Sequence, residues 1–110
     1  MFTPVFQPAN VYTLKNSVSY AEGAIVSKIV TKNEAGNITL FAFDKGQNLS
    51  RHSAPYDAII QVLEGEGRIV IDQTEFLVSE GEMIIMPANI PHSVDADQQF
   101  KMMLVMIKGK

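Results

Sequence analysis

The feature that most constrains this chain is a succession of short apolar runs, each ended within a few residues by glycine, proline, asparagine or other turn-forming residues. β-branched residues are frequent in these runs, as in AIVSKIVTK (24–32), and no run carries a sustained apolar stripe of helical period. Short β-rich runs at regular spacing are typical of an all-β sandwich or barrel. We therefore predict an all-β, single-domain fold, with a hairpin over 24–43.

The same pattern predicts the remaining strands and an N-terminal arm. Further strands are expected at 57–63, 68–72, 75–78, 82–86 and 100–108. Residues 1–22 contain Pro4 and Pro8 among scattered aromatic residues, so we predict an extended arm with a short strand near 11–14. The apolar side chains of this arm need cover, and a partner subunit is expected to supply it. The barrel is assigned to residues 23–110.

Length, charge and composition limit the classes of function. The 110 residues suffice for one modest core. The net charge is −3 and the nine basic residues are spread thinly, which disfavours nucleic acid as a partner. The lack of cysteine removes disulfides, thiolate metal sites and cysteine nucleophiles, and fits a cytoplasmic protein. We see no signal peptide pattern and no apolar run of the roughly 18 residues that a membrane span needs.

Two stretches hold both histidines of the sequence: GQNLSRHSAPYDAIIQVLEGEG (46–67) and GEMIIMPANIPH (81–92). They resemble the two motifs of the cupin superfamily, G-x5-H-x-H-x3,4-E-x6-G and G-x5-P-x-G-x2-H-x3-N. The matching residues are Gly46, His52 and Gly65 in the first motif, and Gly81, Pro87 and His92 in the second. The resemblance spans 38–107 and implies a small single-domain cupin with a double-stranded β-helix, a jelly-roll-like barrel.

Four positions depart from these motifs. They are Ala54 for the second histidine, Ala58 for the glutamate, Asn89 for a glycine and Ala96 for the final asparagine. The family binds a divalent metal through three histidines and a glutamate. The resemblance therefore implies that only His52 and His92 remain as metal ligands, in a weak site for iron, manganese, zinc or nickel.

Asp57 is the candidate for a third metal ligand, because it precedes the lost glutamate position by one residue. Neighbouring strand residues point to opposite faces, so Asp57 reaches inward only if the strand starts later or carries a bulge there. The favoured interpretation is a solvent-facing or turn-capping carboxylate, and the ligand role stays open as the alternative.

Alanine at positions 54 and 58 removes bulk and charge from the barrel interior. We expect a larger and more apolar pocket, suited to a small organic ligand anchored by His52 and His92. Tyr56, in the loop SAPYD, is a further pocket candidate, as a lid or an acid, although packing at the surface or an interface is the favoured interpretation. The six methionines are expected to fill the core, with an adaptable pocket lining as the alternative.

Three functions remain open at this point, and no catalytic residue or substrate is assigned. The first is binding of a small molecule by a cupin whose metal site has decayed. The second is a metal-dependent cupin enzyme, of isomerase or dioxygenase type, in which Asp57 or substrate atoms complete the shell. The third is a structural or interaction module. A homodimer is expected, because a small sandwich leaves sheet edges that proteins usually cover.

Overall fold

The computed structural model describes residues 5–108 as two antiparallel β-sheets that face each other across an apolar core. Within these residues the strands are β1 (Ile25–Asn33), β2 (Gly36–Phe43), β3 (Asn48–His52), β4 (Ala58–Glu64), β5 (Glu66–Ile71), β6 (Thr74–Ser79), β7 (Met83–Met86), β8 (His92–Asp95) and β9 (Phe100–Ile107). The larger sheet has the order β1-β2-β9-β4-β7, and the smaller sheet β3-β8-β5-β6. The predicted all-β, jelly-roll-like fold is confirmed, and no helix in the described part could span a membrane.

The strand pattern of the sequence identifies most of these elements and misses two short, partly polar strands. The hairpin over 24–43 is confirmed as β1 and β2. Strands β3 and β8 were not predicted, because they are short and partly polar and are defined by their pairing with each other. The strand expected near 11–14 is wrong: a short 3-10 turn forms at Leu14–Asn16, and the fully exposed Val11 has no neighbouring strand to pair with.

The core between the sheets is built around two aromatic rings. Phe43 and Phe100 are fully buried and stack with ring centroids 4.8 Å apart and planes 9° apart. Gly67 lies against Phe100, so closely that a Cβ atom at this position would meet the ring at 2.5 Å. The aliphatic side chains of Ile60 and Ile69, which are also fully buried, extend this core along the barrel.

The N-terminal arm packs on the outer face of its own larger sheet. Phe6 and Val18 form a second buried cluster with Leu40 and Ala42 of β2. The chain's own sheet thus hides these side chains from water, and packing of the arm on a partner subunit stays a prediction. Cover from a partner stays a prediction for the exposed Val5, while residues 1–4 lie outside the described part.

A polar network holds the end of this arm to the sheet. The Tyr20 hydroxyl donates to the Glu64 carboxylate at 2.6 Å, and burial together with this carboxylate raises the pKa of Tyr20. The ammonium group of Lys101, a largely buried side chain, donates to the backbone carbonyl of Lys15 and lies 5.0 Å from the Tyr20 ring centroid. These contacts satisfy the buried charge of Lys101 and fix where the arm enters β1.

Candidate functional site

Both histidines lie side by side at one end of the smaller sheet. His52 is the last residue of β3 and His92 the first of β8, and the antiparallel register pairs them directly. A register irregularity between Leu49 and His52 precedes this pair. The two rings are 4.6 Å apart at their centroids, with planes inclined by 69°. Residues that are 40 positions apart in the sequence thus form one two-imidazole site.

The same local hydrogen bond orients both rings. Nδ1 of His52 lies 2.8 Å from the backbone carbonyl of Ser50, and Nδ1 of His92 lies 3.2 Å from that of Ile90. A carbonyl oxygen only accepts, so each Nδ1 carries the proton and donates it. In each neutral ring, Nε2 therefore keeps its lone pair for a ligand, which is the arrangement typical of metal-binding histidines.

The two imidazoles differ in their surroundings. His92 is buried, with 4% of its surface exposed, whereas His52 is exposed at the mouth of the site. Burial, followed by the proximity of His52, lowers the pKa of His92. The His92 imidazole is thus neutral near pH 7, in the form that accepts a hydrogen bond or binds a metal ion.

A small apolar cavity lies between the sheets beside the two histidines. Its volume is about 40 Å³. Its lining consists of both imidazoles and apolar side chains: Leu49, His52, Ala54, Ala58, Ile60, Met86, His92, Val94, Met102, Leu104 and Met106. Liquid water occupies about 30 Å³ per molecule, so this space suits an ion or one to two waters. It is smaller than the enlarged pocket expected from the sequence, because three methionines occupy the interior.

Ala58, at the position of the family's glutamate, lies between two of these methionines. The sheet register pairs Ala58 with Met86 of β7 on one side and with Met106 of β9 on the other. All three side chains line the cavity. The space that a glutamate would take is therefore flanked by thioether groups, and the lining contains no carboxylate.

The structure does not bring the other two candidates into this cavity. Asp57 is exposed, and its carboxylate accepts a hydrogen bond of 2.8 Å from the backbone N–H of Ala88. Tyr56 is partly buried outside the lining, with the ammonium group of Lys108 at 5.7 Å from its ring centroid. Of the predicted pocket residues, the cavity thus brings together both histidines and the alanines at 54 and 58.

The donor set present here does not fit the divalent metal centre that the resemblance implies. That centre uses three histidines and a glutamate, and only His52 and His92 stand at those positions. Within residues 5–108, no group of three or more histidine, cysteine, aspartate or glutamate side chains is placed to hold a metal ion. Iron and catalytic zinc sites generally need a third nitrogen or oxygen ligand, which the lining does not provide.

A jelly-roll-like barrel with a pair of histidines between its sheets defines the cupin class of protein. The family model described as Cupin domain matches residues 39–108, so the chain belongs to the cupin family. No curated protein matches this sequence.

Solved structures support the same assignment. A conserved Streptococcus pyogenes protein of unknown function is 38% identical, with a TM-score of 0.90 over 96% of this chain and 92% of that one. A Cupin 2 conserved barrel domain protein from Leptotrichia buccalis is 42% identical, with a TM-score of 0.85 over 88% of this chain and 47% of that one. A cupin superfamily protein from Desulfitobacterium hafniense shares the fold at 20% identity, with a TM-score of 0.88 over 94% and 95% of the two chains.

The sequence analysis kept a methionine lining of the pocket as the alternative, without saying which methionines would form it. Met86 directly precedes Pro87 of the second motif, and this position in the sequence indicates that Met86 lies near the site. The position of Met106 opposite Ala58 follows only from the pairing of β4 with β9, since these strands are distant in the chain. The methionines therefore contribute to the pocket lining as well as to the core.

Proposed function

We propose that this cupin is a binding protein that holds a small ligand at the paired imidazoles of His52 and His92. The observation that carries this proposal is the common orientation of the two rings. Each donates Nδ1–H to a backbone carbonyl, so each has an Nε2 lone pair left to interact with a ligand. The contact of the rings at 4.6 Å allows one small ligand to engage both.

The size and chemistry of the cavity limit this ligand to few atoms. A volume of about 40 Å³ is far below the several hundred Å³ of usual organic-ligand pockets. Methionine is unbranched and flexible, so movement of Met86 and Met106 would enlarge the space for a somewhat larger apolar group. Binding is favoured over catalysis because the lining offers no carboxylate beside the histidines to share a proton.

Removing both imidazoles should abolish ligand binding. In a thermal-shift screen of small carboxylic acids, azoles and transition-metal salts, a ligand at ten times its Kd stabilises the wild type by about 1.4 kcal/mol. This corresponds to an increase in Tm of about 6 °C, at the usual entropy of unfolding per residue for a domain of this size. The His52→Ala/His92→Ala variant should show no increase with the same ligand.

Ser53→Ala is the control, because it changes an exposed side chain next to His52 and leaves both rings in place. This variant should keep the full increase in Tm. Circular dichroism would establish that the double variant is folded. An equal increase in Tm in the double variant and the wild type would refute the proposed site.

We also propose that the protein forms a homodimer through the outer face of its larger sheet. The arm leaves a row of four neighbouring residues there uncovered: Ile38, Val105, Ile59 and Ile85. The row crosses four strands, about 14 Å at the usual strand spacing, and carries no charge. Ile85 is 48% exposed. A second copy related by a two-fold axis would place the same apolar row against it, as closed symmetric dimers do.

A charge in this row should convert the dimer into a monomer. We expect Ile85→Glu to elute with the monomer mass of 12.1 kDa in size-exclusion chromatography with light scattering, because a buried unpaired carboxylate opposes association. Leu77→Glu is the matched control, since Leu77 is 61% exposed on β6 of the smaller sheet. It should remain dimeric. A monomeric wild type would contradict the proposed assembly.

A further inference from the structure

The cavity brings a second kind of metal donor next to the imidazoles. Met86 and Met106 flank Ala58 in one row across the larger sheet, and this row lines the same small space as His52 and His92. The thioether groups thus stand on both sides of the position where the family has a carboxylate. The available donors are two imidazole nitrogens and thioether sulfur, with no oxygen ligand from a side chain in the lining.

We propose that this site binds Cu(I), through Nε2 of His52 and of His92 and the sulfur of Met86 or Met106. The inference rests on the proposed binding function of the histidine pair and adds the class of ligand: a soft, monovalent metal ion. Thioether sulfur is a soft donor that selects Cu(I), whereas manganese and other hard ions prefer carboxylate, carbonyl and water oxygens.

The charge of the cavity favours the same ion. Its lining contains no carboxylate, since Asp57 lies outside and its side chain accepts from the Ala88 N–H. An ion that enters is therefore not neutralised by its ligands. The desolvation penalty of an ion rises with the square of its charge, so a divalent ion meets a penalty about four times that of a monovalent ion. A site with alanine at position 58 thus disfavours divalent metals and accepts Cu(I).

Size and access agree with a single bound ion. The cavity of about 40 Å³ holds an ion and leaves little room for additional water ligands. His52 is exposed at the mouth while His92 is buried, which gives the ion a path from solvent to the deeper donors. Methionine side chains can adjust their sulfur positions through several rotatable bonds, so two fixed imidazoles and a mobile thioether form a feasible three-coordinate site.

The test is a titration with Cu(I) under anaerobic, reducing conditions, in competition with a coloured Cu(I) chelator. We expect the wild type to bind one equivalent. Met86→Leu/Met106→Leu keeps the volume of the lining and both imidazoles while it removes the sulfur donors. We expect this variant to bind Cu(I) roughly tenfold more weakly or worse, because changes even outside the first ligand shell lower metal affinity about 10–100-fold. X-ray absorption should show copper–sulfur scattering in the wild type and none in the variant.

The control carries the same two substitutions on the outer face of the larger sheet, as Met83→Leu/Met103→Leu. Met83 is 55% exposed, and Met103 packs beneath the arm. This control should bind Cu(I) as the wild type does, and Zn(II) should bind more weakly than Cu(I) to both proteins that keep the thioether groups.

Unchanged Cu(I) affinity in Met86→Leu/Met106→Leu, or tighter binding of Zn(II) than of Cu(I), would overturn the assignment of Cu(I). If binding of another metal or a small molecule were still lost in His52→Ala/His92→Ala, the proposed binding function would stand without copper. If no metal salt and no small molecule bound to the wild type, both the copper site and the proposed function would fail.

Discussion

Replacing Phe100 with alanine is expected to lower the free energy of unfolding by about 3–5 kcal/mol. The Phe100 ring is fully buried and stacks on Phe43 at 4.8 Å, between the two sheets. Gly67 lies beside the ring and has no side chain that could fill the cavity left by alanine. The surrounding β-strands are fixed by their hydrogen-bonded register, so the site collapses poorly. Urea unfolding followed by circular dichroism measures the change.

Phe76→Ala is the comparison for this substitution. Phe76 lies on β6 with 39% of its surface exposed, so the same chemical change removes less buried surface. We expect a loss of about 1 kcal/mol or less. Equal losses for Phe76→Ala and Phe100→Ala would show that the stacked pair is not the centre of the core.

Gly36→Ala should destabilise the protein by about 2–5 kcal/mol, the sum of backbone strain and steric overlap. Gly36 begins β2 with φ of 157°, and an added Cβ would overlap the backbone carbonyl oxygen of Met106 in β9. A backbone atom within a sheet cannot rotate away as a side chain can. The substitution therefore separates β2 from β9 at the end of the barrel where Met106 lines the cavity.

Gly23→Ala separates the two contributions. Gly23 also has a positive φ, of 68°, but a Cβ at this position meets no atom within 4 Å. We expect a loss of about 1–2 kcal/mol from the backbone conformation alone. Denaturant titration of both variants gives the difference, and a Gly36→Ala variant as stable as Gly23→Ala would mean that the β2–β9 contact relaxes without cost.

The sequence was most informative about strands whose neighbouring residues follow a regular pattern. The β-branched runs and turn residues predicted the β1–β2 hairpin and five further strands, because alternation and turn formation are properties of neighbouring residues. The predictions failed at β3 and β8, because the short sequences NLSRH and HSVD are largely polar and carry no such pattern. They also failed near 11–14, where an apolar extended segment found no strand to pair with.

The candidate site was only partly accessible from the sequence. Motif spacing pointed to His52 and His92 as one pair, and the register of β3 with β8 places them side by side. The alternation of strand residues favoured an outward Asp57, and the structure places its carboxylate on the Ala88 N–H. The structure does not contain the enlarged pocket that was expected. The residue types at positions 54 and 58 do not show which side chains lie across from them.

The residue pattern of the chain predicted an all-β fold, and the resemblance to the cupin motifs implied that alanine stands at two of the four metal-ligand positions. The tertiary structure decided the chemistry of the space left behind. Met106 of β9 and Met86 of β7 flank Ala58 through pairings between strands that are distant in the chain. Such pairings depend on the whole sheet, whereas the backbone carbonyl that orients each imidazole lies only two residues away in the chain. Motif spacing indicated the histidine pair, but local sequence patterns do not show which strands are neighbours and so did not place Met86 and Met106 beside Ala58.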